Sequence, residues 1–106
     1  MEKLRILYAG NSTEKITQAI VDGVELIDVR ARSEYYNGHV RGSINIPLDD
    51  LTDHLGQLDQ ETPILVYCRS GMRSAQAKKI LEKSGFSQVL NGGNWEHINR
   101  IVQSLK

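Results

Sequence analysis

Ile64-Leu65-Val66-Tyr67-Cys68-Arg69-Ser70-Gly71-Met72-Arg73-Ser74 reads as a buried strand that runs into a tight, glycine-containing turn and then into the start of a helix. A turn of that kind aims several backbone N–H groups and the positive end of the helix at one place, where an anion or a thiolate is stabilised. Free cysteine titrates at ~8.5, and adjacent arginines with a helix N-terminus lower that by one or more units. A lone cysteine is commonly an inert core residue. Here two arginines, two serines and a glycine occupy the next six positions, a composition that suits a solvated turn and tips the reading toward a nucleophile.

Outward from this loop, strands alternate with helices. Ile6-Leu7-Tyr8 is a short strand candidate, and Asn11 with Glu14 forms a capping box for a helix with Ile16, Ala19 and Ile20 on its apolar face. Gly23 ends that helix, and Val24 to Val29 reads as a mostly buried strand that runs into Arg30. Ser33 is expected to cap a brief helix that Asn37-Gly38 breaks, and Ser43 to Ile46 to form a strand closed by Pro47. Leu48, Leu51, Leu55 and Leu58 make a helical stripe whose acidic neighbours Asp49, Asp50 and Asp53 read as a solvated face. Ala75 to Ser84 is the helix behind the cysteine loop, with Gly85 as its cap. Val89-Leu90 reads as a last strand, Asn91-Gly92-Gly93 as a turn, and Trp95, Ile98, Ile101, Val102 and Leu105 as the apolar face of a closing helix. About five such alternations predict an α/β fold, a mainly parallel five-stranded sheet flanked by helices on both faces. Ligands of such sheets bind beyond the carboxyl ends of the strands, where Cys68 falls.

The 106 residues suit one domain, 1–106, able to bury roughly two thirds of its unfolded surface. Lys plus Arg and Asp plus Glu both number 13, which leaves no basic field for nucleic acid. One cysteine excludes an internal disulfide. The first residues are interrupted by charge and lack a signal-like core, so the expected location is cytoplasmic. No apolar run reaches the ~18 residues of a membrane span. A monomer is expected, because no long apolar stripe is left over after the helices pack.

These residues resemble a known family, the single-domain rhodanese sulfurtransferases. The resemblance runs from about Leu26 to Gly93. It rests on Leu26-Ile27-Asp28-Val29-Arg30, on Glu34-Tyr35 and Gly38-His39-Val40, on Gly42 to Pro47, on Ile64 to Ser74, and on Gly85-Phe86, Val89 and Gly92-Gly93. Two positions depart from the pattern: Arg41 stands where proline is usual, and the usual tryptophan after the glycine pair falls on His97, with Trp95 displaced by two positions. Four residues separate Cys68 from Arg73, the short loop similar to that of sulfurtransferases. Phosphatase and arsenate-reductase relatives carry one residue more, which widens the cradle for a tetrahedral anion.

The resemblance implies two-step transfer of sulfane sulfur through a Cys68 persulfide. The donor is thiosulfate or a persulfide, and the acceptor is cyanide, a small thiol or a sulfur-accepting protein. Substrate binding is expected from the loop Arg69, Ser70, Gly71, Met72, Arg73 and Ser74. Arg69 and Arg73 offer guanidinium forks to the anion, with a loop-fixing role as the other reading of Arg73; Ser74 reads most simply as a helix cap, with a supporting hydrogen bond to the sulfur as the other reading. Asp28 and Arg30, with Glu34 nearby, are expected to support the loops as a charge pair or network. His39 reads as a hydrogen-bonding turn residue. The histidines and single cysteine show no metal-ligand spacing, and no cofactor motif occurs. A sulfur-relay carrier and a non-catalytic interaction module are the rival readings, the second disfavoured by the intact cysteine.

Overall fold

The computed structural model describes residues 12–105. Within them α1 (Ser12–Val21) leads into β1 (Glu25–Asp28), α2 (Arg32–Tyr36) and the two-residue edge strand β2 (Ile44–Asn45). A short α3 (Leu51–His54), flanked by 3-10 turns at Leu48–Asp50 and Leu55–Gln57, precedes β3 (Ile64–Cys68). Then come α4 (Met72–Lys83), β4 (Val89–Asn94) and α5 (Trp95–Ser104). The strands form one parallel sheet in the order β2-β1-β3-β4. Four strands are present among the described residues where five were expected. The Ile6-Leu7-Tyr8 strand and the Asn11 end of the capping box lie outside them.

Every residue of β3 is buried, because both faces of this central strand are covered. Side chains alternate along it. Ile64, Val66 and Cys68 join Ile27, Val29, Ala77, Leu81 and Phe86 in one core cluster, whereas Leu65 and Tyr67 join Ile16, Val40, Ile98 and Ile101 in the other. The first cluster packs α4 and the α3 segment onto the sheet, and the second packs α1 and α5. Each fully buried aliphatic side chain contributes roughly 1.5 to 3 kcal/mol. This alternation also sends the Cys68 side chain to the α4 face, beneath the first turn of that helix.

Several local expectations are corrected. Asn91-Gly92-Gly93 is not a turn but part of β4, where the pairing slips by one residue opposite Val66 and Tyr67. The glycines fit this bulge because a Cβ on Gly92 would stand 3.0 Å from Ile98 Cδ1 and 3.2 Å from Leu65 Cδ1, and Gly93 adopts φ +78°. The helix at Arg32 is capped at Ala31, not Ser33, with Glu34 Oε1 accepting the Ala31 N–H at 2.9 Å. α4 starts at Met72 rather than Ala75 and ends at a Ser84 cap, one residue before Gly85. The leucine stripe is broken into 3-10 and α turns rather than one helix. Among the described residues no helix is long and apolar enough to cross a membrane.

Candidate functional site

Cys68 closes β3 and is fully buried, and the chain then turns within three residues to enter α4. Gly71 makes the turn as the N-cap of α4 at φ +98°, a left-handed conformation that costs a residue with a Cβ ~1 to 2 kcal/mol. The turn swings the Gly71 N–H back onto Cys68 Sγ at 3.0 Å. Ser74 Oγ stands 3.5 Å from the same sulfur. Burial pushes the Cys68 thiol up. Hydrogen bonding at the loop, from the backbone N–H groups of Ser74, Gly71 and Ser70 and, where its hydroxyl points to the sulfur, from Ser74 Oγ, outweighs it and brings the thiol below its ordinary value. Negative charge on this sulfur, or on an atom attached to it, is therefore met by preoriented donors at a helix N-terminus.

Ser74 is not the helix cap. Gly71 takes that position and leaves Ser74 in the first turn of α4, fully buried, with its hydroxyl on Asn91 Oδ1 at 2.6 Å. Arg73 is held by Glu34 in a bidentate pair, Nη1 to Oε1 at 2.7 Å and Nη2 to Oε2 at 3.1 Å. The Arg73 guanidinium holds the Glu34 carboxyl down to about 2, against the desolvation that raises it, and its own pKa is raised in return. Arg69 is exposed and forms no ion pair among the described residues, and Met72 is exposed on the same loop.

Asp28 and Arg30 form a buried pair at the end of β1, with Arg30 Nε and Nη2 on the two carboxylate oxygens at 2.8 to 3.0 Å. Arg30 Nη2 also donates to the Gly38 carbonyl at 2.7 Å, and its guanidinium lies 4.3 Å from the centre of the Trp95 ring. The displaced tryptophan thus roofs this pair and packs against Gly38. His39 Nδ1 meets the Tyr35 carbonyl at 2.8 Å and its ring stacks on Tyr35. A cleft of about 460 Å³ adjoins the loop, lined by Arg30, Glu34, Arg69, Ser70, Asn94 and Trp95 among others. Among the described residues no group of acidic, histidine and cysteine side chains could hold a metal ion.

The sequence reading brought the loop, Asp28, Arg30 and Glu34 to one end of the sheet, and the structure places them together there. It missed Asn91, whose signal was hidden by the glycine pair behind it. Cys68 thus lies against the loop N–H groups and the Ser74 hydroxyl, with Arg69, in no ion pair among the described residues, beside an open cleft.

A family model for the rhodanese-like domain matches residues 12–96. The thiosulfate sulfurtransferase PspE of Escherichia coli is 39% identical over 68% of this chain and 71% of its own. The thiosulfate sulfurtransferase GlpE of Shewanella oneidensis is 32% identical over 84% of this chain and 90% of its own. A solved structure of rhodanese with anions from E. coli superposes with a TM-score of 0.66 at 36% identity, covering 71% of this chain and 91% of that one.

Proposed function

Because the chain belongs to the rhodanese-like domain family, we propose that it is a sulfurtransferase that carries sulfane sulfur on Cys68. The Cys68 thiolate attacks the outer sulfur of thiosulfate. A sulfur–sulfur bond forms to Cys68, the bond to the sulfonate sulfur breaks, and its electron pair leaves with sulfite. The terminal sulfur of the Cys68 persulfide is anionic and is held by the loop N–H groups. A nucleophile then attacks that sulfur and the Cys68 thiolate leaves, so that cyanide becomes thiocyanate and a thiol becomes a persulfide. A persulfide donor enters the first step in the same way and releases its thiol.

The observation that carries this reading is the Gly71 N–H directed at Cys68 Sγ from a helix start. The full burial of Cys68 supports a slender, terminal sulfur as the atom transferred. Arg69 receives the sulfonate oxygens, since Arg73 is committed to Glu34 and fixes the loop. Asp28 and Arg30 hold the neighbouring loops from below. Two relatives of this chain are named thiosulfate sulfurtransferases, which supports the same donor. The expected setting is a reducing compartment, with a monomer as the working unit.

Initial rates with thiosulfate and cyanide varied together test the covalent intermediate. Parallel double-reciprocal lines, with no turnover by Cys68→Ala, are expected. Lines that intersect would mean direct transfer between the two substrates and would overturn the persulfide step.

A further inference from the structure

Asn91, in the bulged part of β4, faces the loop with a side-chain amide whose orientation is fixed from two sides. Its Oδ1 accepts the Gly93 N–H at 3.0 Å, and its Nδ2 donates to the Gly71 carbonyl at 3.2 Å. The 2.6 Å contact between Oδ1 and Ser74 Oγ is therefore bridged by the serine's proton, because a carbonyl oxygen has none to give. A hydroxyl owns one proton. With that proton on Asn91, Ser74 Oγ turns lone pairs toward Cys68 Sγ, 3.5 Å away, where they accept an S–H and oppose a thiolate.

We propose that Asn91 is a positioning residue that holds the Ser74 proton away from Cys68 Sγ, so that Ser74 assists the sulfur anion only when its hydroxyl rotates off Asn91. At rest the thiolate is supported by the backbone N–H groups of the loop, and the hydroxyl is a reserve donor that Asn91 withholds. The other charged groups around the sulfur are Arg69 in the loop, Arg73 on α4 with its partner Glu34 on α2, the Asp28–Arg30 pair at the end of β1, and Glu96 on α5 at the cleft. None of them bonds to Asn91, so their effect is common to all the variants below. This inference rests on Cys68 as the nucleophile, and not on which sulfur compound it attacks.

The test is the pH profile of Cys68 alkylation by iodoacetamide, which reads the thiolate whether or not sulfur is transferred. Asn91→Leu keeps the side-chain size and removes the acceptor, so the midpoint should fall by about one unit as the Ser74 hydroxyl turns to the sulfur. In a Ser74→Ala background the same substitution should leave the midpoint in place. Asn91 is exposed, so Asn91→Ala serves as a second variant with the same expected direction. An unmoved midpoint in the Ser74 background, or an equal shift with and without Ser74, would overturn the proposal. A normal alkylation profile with no sulfur transfer would count against the sulfurtransferase reading and leave this one standing.

Discussion

Replacing Glu34 by glutamine should destabilise the protein only above the acid range. The Glu34 carboxylate accepts two charge-assisted bonds from Arg73, which lies 39 positions further along the chain, beside a third from the Ala31 N–H, and so ties α2 to the start of α4. Its pKa falls from 4.5 to about 2 on folding. A carboxyl whose pKa is depressed in the folded state adds stability that is complete above its unfolded value and is lost as pH falls through the folded value. The window is therefore pH 4.5 down to about 2. If the pair were dry, the shift would be worth ~3 kcal/mol. The Arg73 side chain is 37% exposed and that of Glu34 29%, so solvent screening reduces the expected contribution to about 1 kcal/mol. Urea unfolding of the wild type and Glu34→Gln reads this directly, since 1 kcal/mol moves the midpoint by roughly 0.5 to 1 M at ordinary slopes. The difference between the two proteins should be full at neutral pH, shrink below pH 4.5 and vanish near pH 2. A difference that stays constant across that window would refute the ion pair as its source.

Arg69→Ala should raise the thiosulfate KM and lower kcat/KM about ten- to a hundredfold with little loss of stability, by steady-state kinetics and thermal melting. An unchanged kcat/KM would remove Arg69 from anion binding. Gly71→Ala forces a Cβ into the φ +98° conformation, and should cost ~1 to 2 kcal/mol and displace the N–H that faces Cys68. Slower Cys68 alkylation at neutral pH checks the second part. Tyr67 is fully buried and its hydroxyl has no hydrogen-bond partner among the described residues, so Tyr67→Phe should leave stability unchanged or raise it by up to ~1 kcal/mol in urea unfolding. A large loss there would reveal a partner for that oxygen.

What was legible in the sequence follows from how local each signal is. The continuous apolar run ending in Cys68 reads as a strand covered on both faces, and the arginine- and serine-rich stretch behind it as a turn into a helix, of which Arg69 to Gly71 is the turn and Met72 to Ser74 already the first turn of α4. Both statements rest on neighbouring residues. Ser74 was misread because the cap went to Gly71, whose left-handed backbone starts α4 earlier than the apolar spacing suggested. Asn91 was misread because Gly92-Gly93 signals a turn, whereas the bulge they form depends on Leu65 and Ile98, which pack against Gly92 from elsewhere in the chain. The commitment of Arg73 to Glu34 was equally out of reach, since the sequence placed both near the loop without saying which arginine would be taken.

Covalent carriage of sulfur on Cys68 is the step from which the rest of the chemistry follows. Intact-protein mass spectrometry before and after brief exposure to thiosulfate, with Cys68→Ala alongside, tests it most directly. One added sulfur is expected on the wild type alone, removed by cyanide. No adduct with thiosulfate or with a persulfide donor, or an equal adduct on Cys68→Ala, would contradict it.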